Sequence, residues 1–273
     1  MNNILSVDVE EWFHPEALQH RFPPQSWSAQ EKRVEQNVQR LLQLFDDKEA
    51  RATFFILGWV ARECPQMIRK IVAAGHEVAT HGNSHRMLTK LSPQEFKEDL
   101  AESIKTLEDI SGQKVLGFRA PTFSLVKETQ WAWEVMLELG LRYDSSVYPI
   151  WHDRYGIPDA SRSRYIALQK NSRELIEFPM PTLRILGRNV PFGGGGYLRI
   201  FPLWFTQWAI KRFNKEGLPA IIYMHPWEFD PDQPKLNLGW LQTKRHYYHI
   251  EHNYAKLAAL LDRHPWTSFK NCL

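Results

Sequence analysis

The stretch Glu77-Val78-Ala79-Thr80-His81-Gly82-Asn83-Ser84-His85 decides how this chain is read. A short apolar run, 76–80, has the length and composition of a strand and ends in two imidazoles four positions apart. A neutral imidazole is the commonest protein ligand for a divalent transition metal. Two at this spacing can face one ion if the backbone makes a helical turn. Gly82, Asn83 and Ser84 are poor helix formers, so the pair is expected on a tight loop or the first turn of a helix. A polar loop that merely carries two histidines has the same local pattern, so the rest of the chain must decide.

Working outward, the unit of apolar strand followed by helix recurs. Strands are expected at 4–9, 52–57, 76–80, 115–118, 141–143, 175–178 and 220–224. Helices are expected at about 30–46, where Val34, Val38, Leu41, Leu42 and Phe45 recur at helical spacing, and at 65–75, where Pro65 opens and Gly75 closes the helix. Ser92-Pro93-Gln94-Glu95 is a capping box with proline at the first helical position, and starts a helix to about residue 110. Further helices are expected near 128–139, 203–215 and 249–261, whereas 147–172 reads as loop. This alternation predicts a mainly parallel sheet in one α/β domain. An open doubly wound sheet and a closed barrel both fit. No G-x-G-x-x-G follows the first strand, which weakens a dinucleotide-binding reading. The run Gly193 to Gly196 lacks the Lys-Ser/Thr of a phosphate loop. It reads as a flexible turn, or as a place where backbone approaches a ligand closely.

Bulk properties narrow the function. The chain has 273 residues, 43% hydrophobic and 24% charged, which is ordinary for a soluble globular protein. A formal charge of +3 gives no case for nucleic acid as a partner. Cys64 and Cys272 are far apart, so a reducing compartment is the simpler expectation. The N-terminus lacks a basic region followed by a long apolar one, and no stretch approaches membrane-spanning length. The expected location is therefore cytoplasmic, with association at the inner membrane face as an extension of that reading. Eleven tryptophans and nine tyrosines are many. Core packing is their usual role, but flat rings also suit sugars.

The residues at the ends of the expected strands are chemically capable: Asp8 and Glu10, then His81, Arg119, Asp144 and His225. In parallel α/β barrels the site is built from the C-terminal ends of the strands, so these residues are expected to form one active site. Two histidines and a carboxylate leave an open position on a zinc-like ion, the catalytic arrangement. Such an ion acidifies water and polarises an acyl oxygen. A second carboxylate can take the water's proton and a separate histidine can protonate a leaving group. This is the equipment for hydrolysing an amide or ester.

With these residues in view, the chain resembles the polysaccharide deacetylases of carbohydrate esterase family four, the NodB-homology domain. The resemblance runs from the first strand to the seventh. His81 and His85 match the family's His-x-x-x-His, implying two metal ligands. Arg119-Ala120-Pro121 matches its Arg-x-Pro motif, implying that Arg119 orients the catalytic base and that the Thr122 N–H helps form an oxyanion hole. Asp144 in Tyr-Asp-Ser-Ser matches the fourth motif and His225-Pro226 the fifth, implying His225 as general acid, held by Asp144. The first motif departs: two adjacent aspartates are usual, and here the run is Asp8-Val9-Glu10-Glu11. Alternation along a strand puts Asp8 and Glu10 on one face, so Asp8 is assigned as base and Glu10 as metal ligand, with Glu11 a rival ligand. The Tyr-Met-His-Pro-Trp-Glu run resembles members encoded with exopolysaccharide genes.

The resemblance implies a distorted parallel (β/α) barrel of about seven strands. It also implies a single catalytic domain over 1–273, with a C-terminal extension from about residue 226. The implied cofactor is a divalent metal, zinc first, and the implied substrate an N-acetylated glycan. Trp227, Trp12 and Tyr197 are candidates for stacking on sugar rings. Two rival functions remain open at this level: a metal-dependent amidase on a small cyclic amide, and a glycan-binding module without catalysis.

Overall fold

The computed structural model describes the backbone of residues 1–273 and every side chain except those of Leu241 and Arg245. In chain order the elements are β1 (Asn3–Val9), α1 (Val34–Asp47), β2 (Thr53–Ile56), α2 (Gly58–Glu63), α3 (Pro65–Ala73), β3 (Glu77–Thr80), α4 (Pro93–Ser111), β4 (Gly117–Phe118), α5 (Ala132–Glu138) and β5 (Tyr143–Asp144). The second half continues with β6 (Tyr165–Lys170), β7 (Arg173–Glu177), β8 (Thr182–Ile185), β9 (Arg188–Pro191), α6 (Gly196–Ile200), α7 (Leu203–Lys215), β10 (Ile221–Met224), α8 (Trp240–Tyr247), α9 (Ile250–Leu261) and β11 (Trp266–Thr267).

The strand order is β10-β1-β2-β3-β4-β5-β7-β6, with β11 also paired to β1. Every pairing from β10 to β7 is parallel, and β6 turns back antiparallel on β7. The expected α/β fold with a mainly parallel sheet is what the chain adopts. All seven residues of β1 are buried, as a strand covered on both faces requires. Val7 and Val9 join the core with Val38, Leu41 and Phe45 of α1 and Ile68 and Ile71 of α3.

Local signals account for the elements that were legible. Ser92 accepts from the Glu95 N–H and Glu95 reaches back to the Ser92 N–H, so the expected capping box starts α4, a feature worth about 1 kcal/mol. The loop-rich 147–172 contains a strand after all, β6, at the antiparallel margin of the sheet. The separate β8–β9 hairpin was also not expected.

The four glycines have a structural role. Gly194 (φ +135°) pairs in parallel with Tyr223 of β10, and a Cβ there would lie 1.9 Å from the Tyr223 carbonyl oxygen. The close approach is thus to a strand, not to a ligand.

Candidate active site

Glu10, His81 and His85 meet above the C-terminal end of the sheet. Glu10 follows β1 directly, His81 follows β3, and His85 sits on the loop to α4. Glu10 Oε1 lies 3.0 Å from His81 Nε2 and 2.9 Å from His85 Nε2. One ligand atom from each residue falls within 4.8 Å of the others. The loop is no helical turn: Gly82 (φ +78°) and His85 (φ +52°) reverse it. Asp99 of α4 holds it by accepting from the Asn83 N–H at 2.7 Å and from the Ser84 hydroxyl.

His81 Nδ1 is 2.8 Å from the Arg119 carbonyl, which can only accept, so Nδ1 carries hydrogen and Nε2 offers a lone pair. A lone pair and a carboxylate oxygen at 3.0 Å need a proton or a cation between them. A two-histidine, one-carboxylate donor set of this kind fits a divalent transition metal. Burial works against a charged Glu10, but the imidazoles of His85, His225 and His81 outweigh it and hold the carboxyl well below its ordinary range. Glu11, the rival ligand, is turned away. Its carboxylate accepts from the Arg33 N–H at 2.9 Å and the Val34 N–H at 3.1 Å, capping α1, and burial lifts its pKa to about 7.

Asp8, in β1, lines the same pocket. Its Oδ1 accepts from Arg119 Nη1 at 2.7 Å. Arg119 is wholly buried, an expensive place for a cation unless every N–H is used. Ser6 Oγ accepts from Nη1 at 2.8 Å, the Ser145 carbonyl from Nε and the Ser145 hydroxyl from Nη2, both at 3.1 Å, and the Phe55 ring lies 4.2 Å beneath the guanidinium. The arginine is thereby fixed, and with it the orientation of Asp8.

His225 follows β10, with Nε2 4.0 Å from Glu10 Oε1. Here the structure corrects the expectation that Asp144 holds it. Asp144 accepts from Trp133 Nε1 at 3.0 Å and from the Ser146 hydroxyl. Opposite it in the sheet is Glu177, whose carboxyl is pushed up by burial and by the Asp144 charge. With those lone pairs engaged, Asp144 is a buried structural acid. The carboxylate on His225 is Glu228, whose Oε2 lies 3.1 Å from Nδ1 and accepts from the His225 N–H at 2.9 Å. Arg199 Nε donates to the other oxygen at 2.9 Å. Burial disfavours a charged imidazole, yet Glu10, Glu228 and Asp8 outweigh it and raise the His225 pKa to about 9. Glu228 is legible in the sequence as the third residue after a capping position, His-x-x-Glu.

Asp8, Glu10, His81, His85 and His225 line a pocket of about 220 Å³ with Pro15, Glu16, Ala17, Ala120, Thr122, Phe123, Arg154, Tyr155, Tyr223 and Trp227. Thr122 (φ +58°) lines it, and its N–H has no acceptor among the described residues. The aromatic expectations need correction. Tyr197 is not part of the lining: it stacks on Phe201 at 6.2 Å and receives a hydrogen bond from Tyr155, which is at the wall. Trp227 reaches the wall, but both its faces are covered, by His225 at 5.3 Å and His246 at 4.7 Å. Its Nε1–H is buried without a hydrogen-bond partner among the described residues. Trp12 is packed among Phe13 and Phe22. The rings left to meet a substrate are Tyr155, Tyr223 and Phe123, two of them on stretches whose composition gave no signal.

Residues 27–143 match the family model described as polysaccharide deacetylase, and residues 145–273 match a domain of unknown function. Over 113 residues the chain is 31% identical to a peptidoglycan deacetylase of Helicobacter pylori, covering 41% of this chain and 38% of that protein. Over 67 residues it is 33% identical to a chitooligosaccharide deacetylase of Sinorhizobium fredii, covering 24% and 31% respectively. The matched stretches thus span about a third of these relatives' lengths. A polysaccharide-deacetylase-like crystal structure from Mycobacterium smegmatis superposes with a TM-score of 0.61 at 21% identity, over 99% of this chain and 89% of that one, a likeness of fold. Among the described residues, no helix is long and apolar enough to cross a membrane.

Proposed function

From a chain whose residues 27–143 belong to the polysaccharide deacetylase family, we propose a metal-dependent hydrolase that removes N-acetyl groups from amino sugars in a glycan. The observation that carries the reading is the convergence of Glu10, His81 and His85 with Asp8 and His225 on one pocket. Glu10, His81 and His85 would hold a divalent ion, zinc first among candidates. When bound, that ion supplies Lewis-acid polarisation of the acyl group and of water. The domain reading is part of the proposal: 1–273 acts as one catalytic unit, because Asp8 and Glu10 come from one end of the chain and His225 from the other.

The chain's own groups do the rest. Asp8, gripped by Arg119 through Oδ1, keeps Oδ2 for the proton of the attacking water. The unpaired Thr122 N–H is a donor for the oxygen that gains charge as the acyl carbon becomes tetrahedral. His225 carries a proton to the departing amine, and Glu228 keeps the imidazole charged and oriented. Arg119 and Arg199 play matching parts, each fixing a carboxylate without touching the reacting atoms. Replacing Glu228 with glutamine is expected to lower turnover by up to about a hundredfold with little change in KM, because a positioned general acid contributes about that much. Steady-state acetate release over a substrate series checks this.

The reading as a whole is tested by incubating the zinc-loaded protein with N-acetylglucosamine oligomers and with five- and six-membered ring amides. Acetate release from the oligomers, tracking bound metal by elemental analysis, is the expected result. Hydrolysis of the ring amides alone would turn the reading to a cyclic amidase. Metal-free protein that binds oligomers without turnover would turn it to a binding module.

A further inference from the structure

Away from the pocket, one face of the molecule combines exposed aromatic and aliphatic side chains with unpaired positive charge. On α7, Trp204 and Trp208 lie one helical turn apart and are 68% and 41% exposed. Lys211, Arg212 and Lys215 continue the same stripe. Ile200, just before the helix, is 56% exposed, and Leu186, at the tip of the β8–β9 hairpin, is 99% exposed. The hairpin lies beside α7, since Arg212 donates to the Arg184 carbonyl at 3.4 Å. Arg184 and Arg188 add two more exposed cations at that tip. No acidic residue occurs between Glu177 and Glu216. Arg184, Arg188, Lys211, Arg212 and Lys215 form no ion pair among the described residues, whereas Lys32, Lys114, Lys127 and Arg154 elsewhere on the surface each have a carboxylate partner.

We propose that this face, built from α7 and the β8–β9 tip, docks the protein on an anionic lipid surface. Tryptophan suits the headgroup region, where its ring is apolar and its N–H wet. Ile200 and Leu186 gain free energy by entering the acyl boundary and gain none in water. Cations flanking such side chains are the usual complement of anionic headgroups. Charge decides against a second copy of the chain as the occupant. A two-fold interface would set five unpaired cations against the same five. Lysine is also depleted in protein–protein interfaces. Nucleic acid would use the positive charge and stack on the tryptophans, but would leave the two aliphatic side chains in water.

The fold sets the orientation. A helix leading into a parallel strand runs against it, so the Leu203 end of α7 lies at the same end of the sheet as His225. The Trp204 end of the docked face therefore adjoins the pocket side of the molecule. The docking itself stands independently of the deacetylase reading.

The test is co-sedimentation of the full chain with vesicles of phosphatidylcholine alone and of phosphatidylcholine with phosphatidylglycerol. Capture by the anionic vesicles is expected to exceed capture by neutral ones by about tenfold or more and to fall with salt. Tryptophan emission should shift to the blue on binding. Trp204→Ser with Trp208→Ser, and separately Lys211→Glu with Lys215→Glu, should each lower capture by about tenfold or more. All four positions are exposed, so both variants should keep the wild-type circular dichroism. Absence of capture, equal capture by both vesicles, or capture unchanged in both folded variants would overturn the proposal. So would a dimer in sedimentation equilibrium that the tryptophan variant dissociates, or a single-stranded oligonucleotide that binds this face in preference to the vesicles.

Discussion

His81→Ala is expected to weaken divalent-metal binding by more than about a hundredfold, since even groups lying behind a ligand cost 10–100-fold when removed. Acetate release should fall to background with it. Three side chains would hold the ion in the proposed site, and His81 is the most tightly preset of them: its Nδ1 is pinned to the Arg119 carbonyl at 2.8 Å, so its Nε2 is already aimed at the site. Without that imidazole, Glu10 and His85 offer two donors, too few for the tetrahedral site of a zinc-like ion. Metal competition with a chromophoric chelator measures the affinity, and circular dichroism checks the fold. The Arg119 side chain, which anchors Asp8, makes no bond to the His81 ring, so the base should stay in place. Wild-type metal affinity in this variant would remove the basis of the proposed chemistry.

Asp8→Asn should have the opposite profile: metal retained, turnover lost. Asparagine keeps an oxygen for Arg119 Nη1 but cannot accept a proton at working pH, and a positioned general base contributes about 10²- to 10⁴-fold. The variant should therefore bind zinc as the wild type does and turn over about 10²- to 10⁴-fold more slowly. A stability cost is expected too, because Arg119 is wholly buried and would lose its only carboxylate. Breaking a buried ion pair on one side costs about 3–5 kcal/mol, visible as a lower urea midpoint. If metal and activity were lost together, Asp8 would be a ligand rather than a base.

The parts of this molecule that could be read from its sequence are those with short-range physics. Apolar runs of strand length, helical spacing in α1 and α3 and the Ser92–Glu95 box are local patterns, and each produced its element. Asp8, Glu10, His81 and His225 line one pocket because a parallel sheet aligns all its C-terminal ends, and Arg119 sits behind Asp8. What failed were choices between chemically equivalent partners. Asp144 and Glu228 are both acids near a strand end, and only packing shows that Trp133 and Ser146 occupy the first, leaving the second for His225. Likewise, exposed and buried tryptophans share one letter. Trp227 is sandwiched between two imidazoles while Trp204 stands in solvent, and periodicity alone does not separate a helix face turned outward from a wall residue covered on both sides.

The central position of β1 also bears on how the protein is made. Its one edge can pair with β2 soon after both leave the ribosome, but the other edge waits for β10, whose partners in register run from Ile221 to Met224. At ordinary translation speeds that delay is on the order of ten to forty seconds. Throughout it the nascent chain presents an apolar, unpaired strand edge, the kind of surface that recruits chaperones or aggregates. His225 arrives with β10, so the same late stretch of synthesis that closes the exposed edge also brings His225 to the pocket.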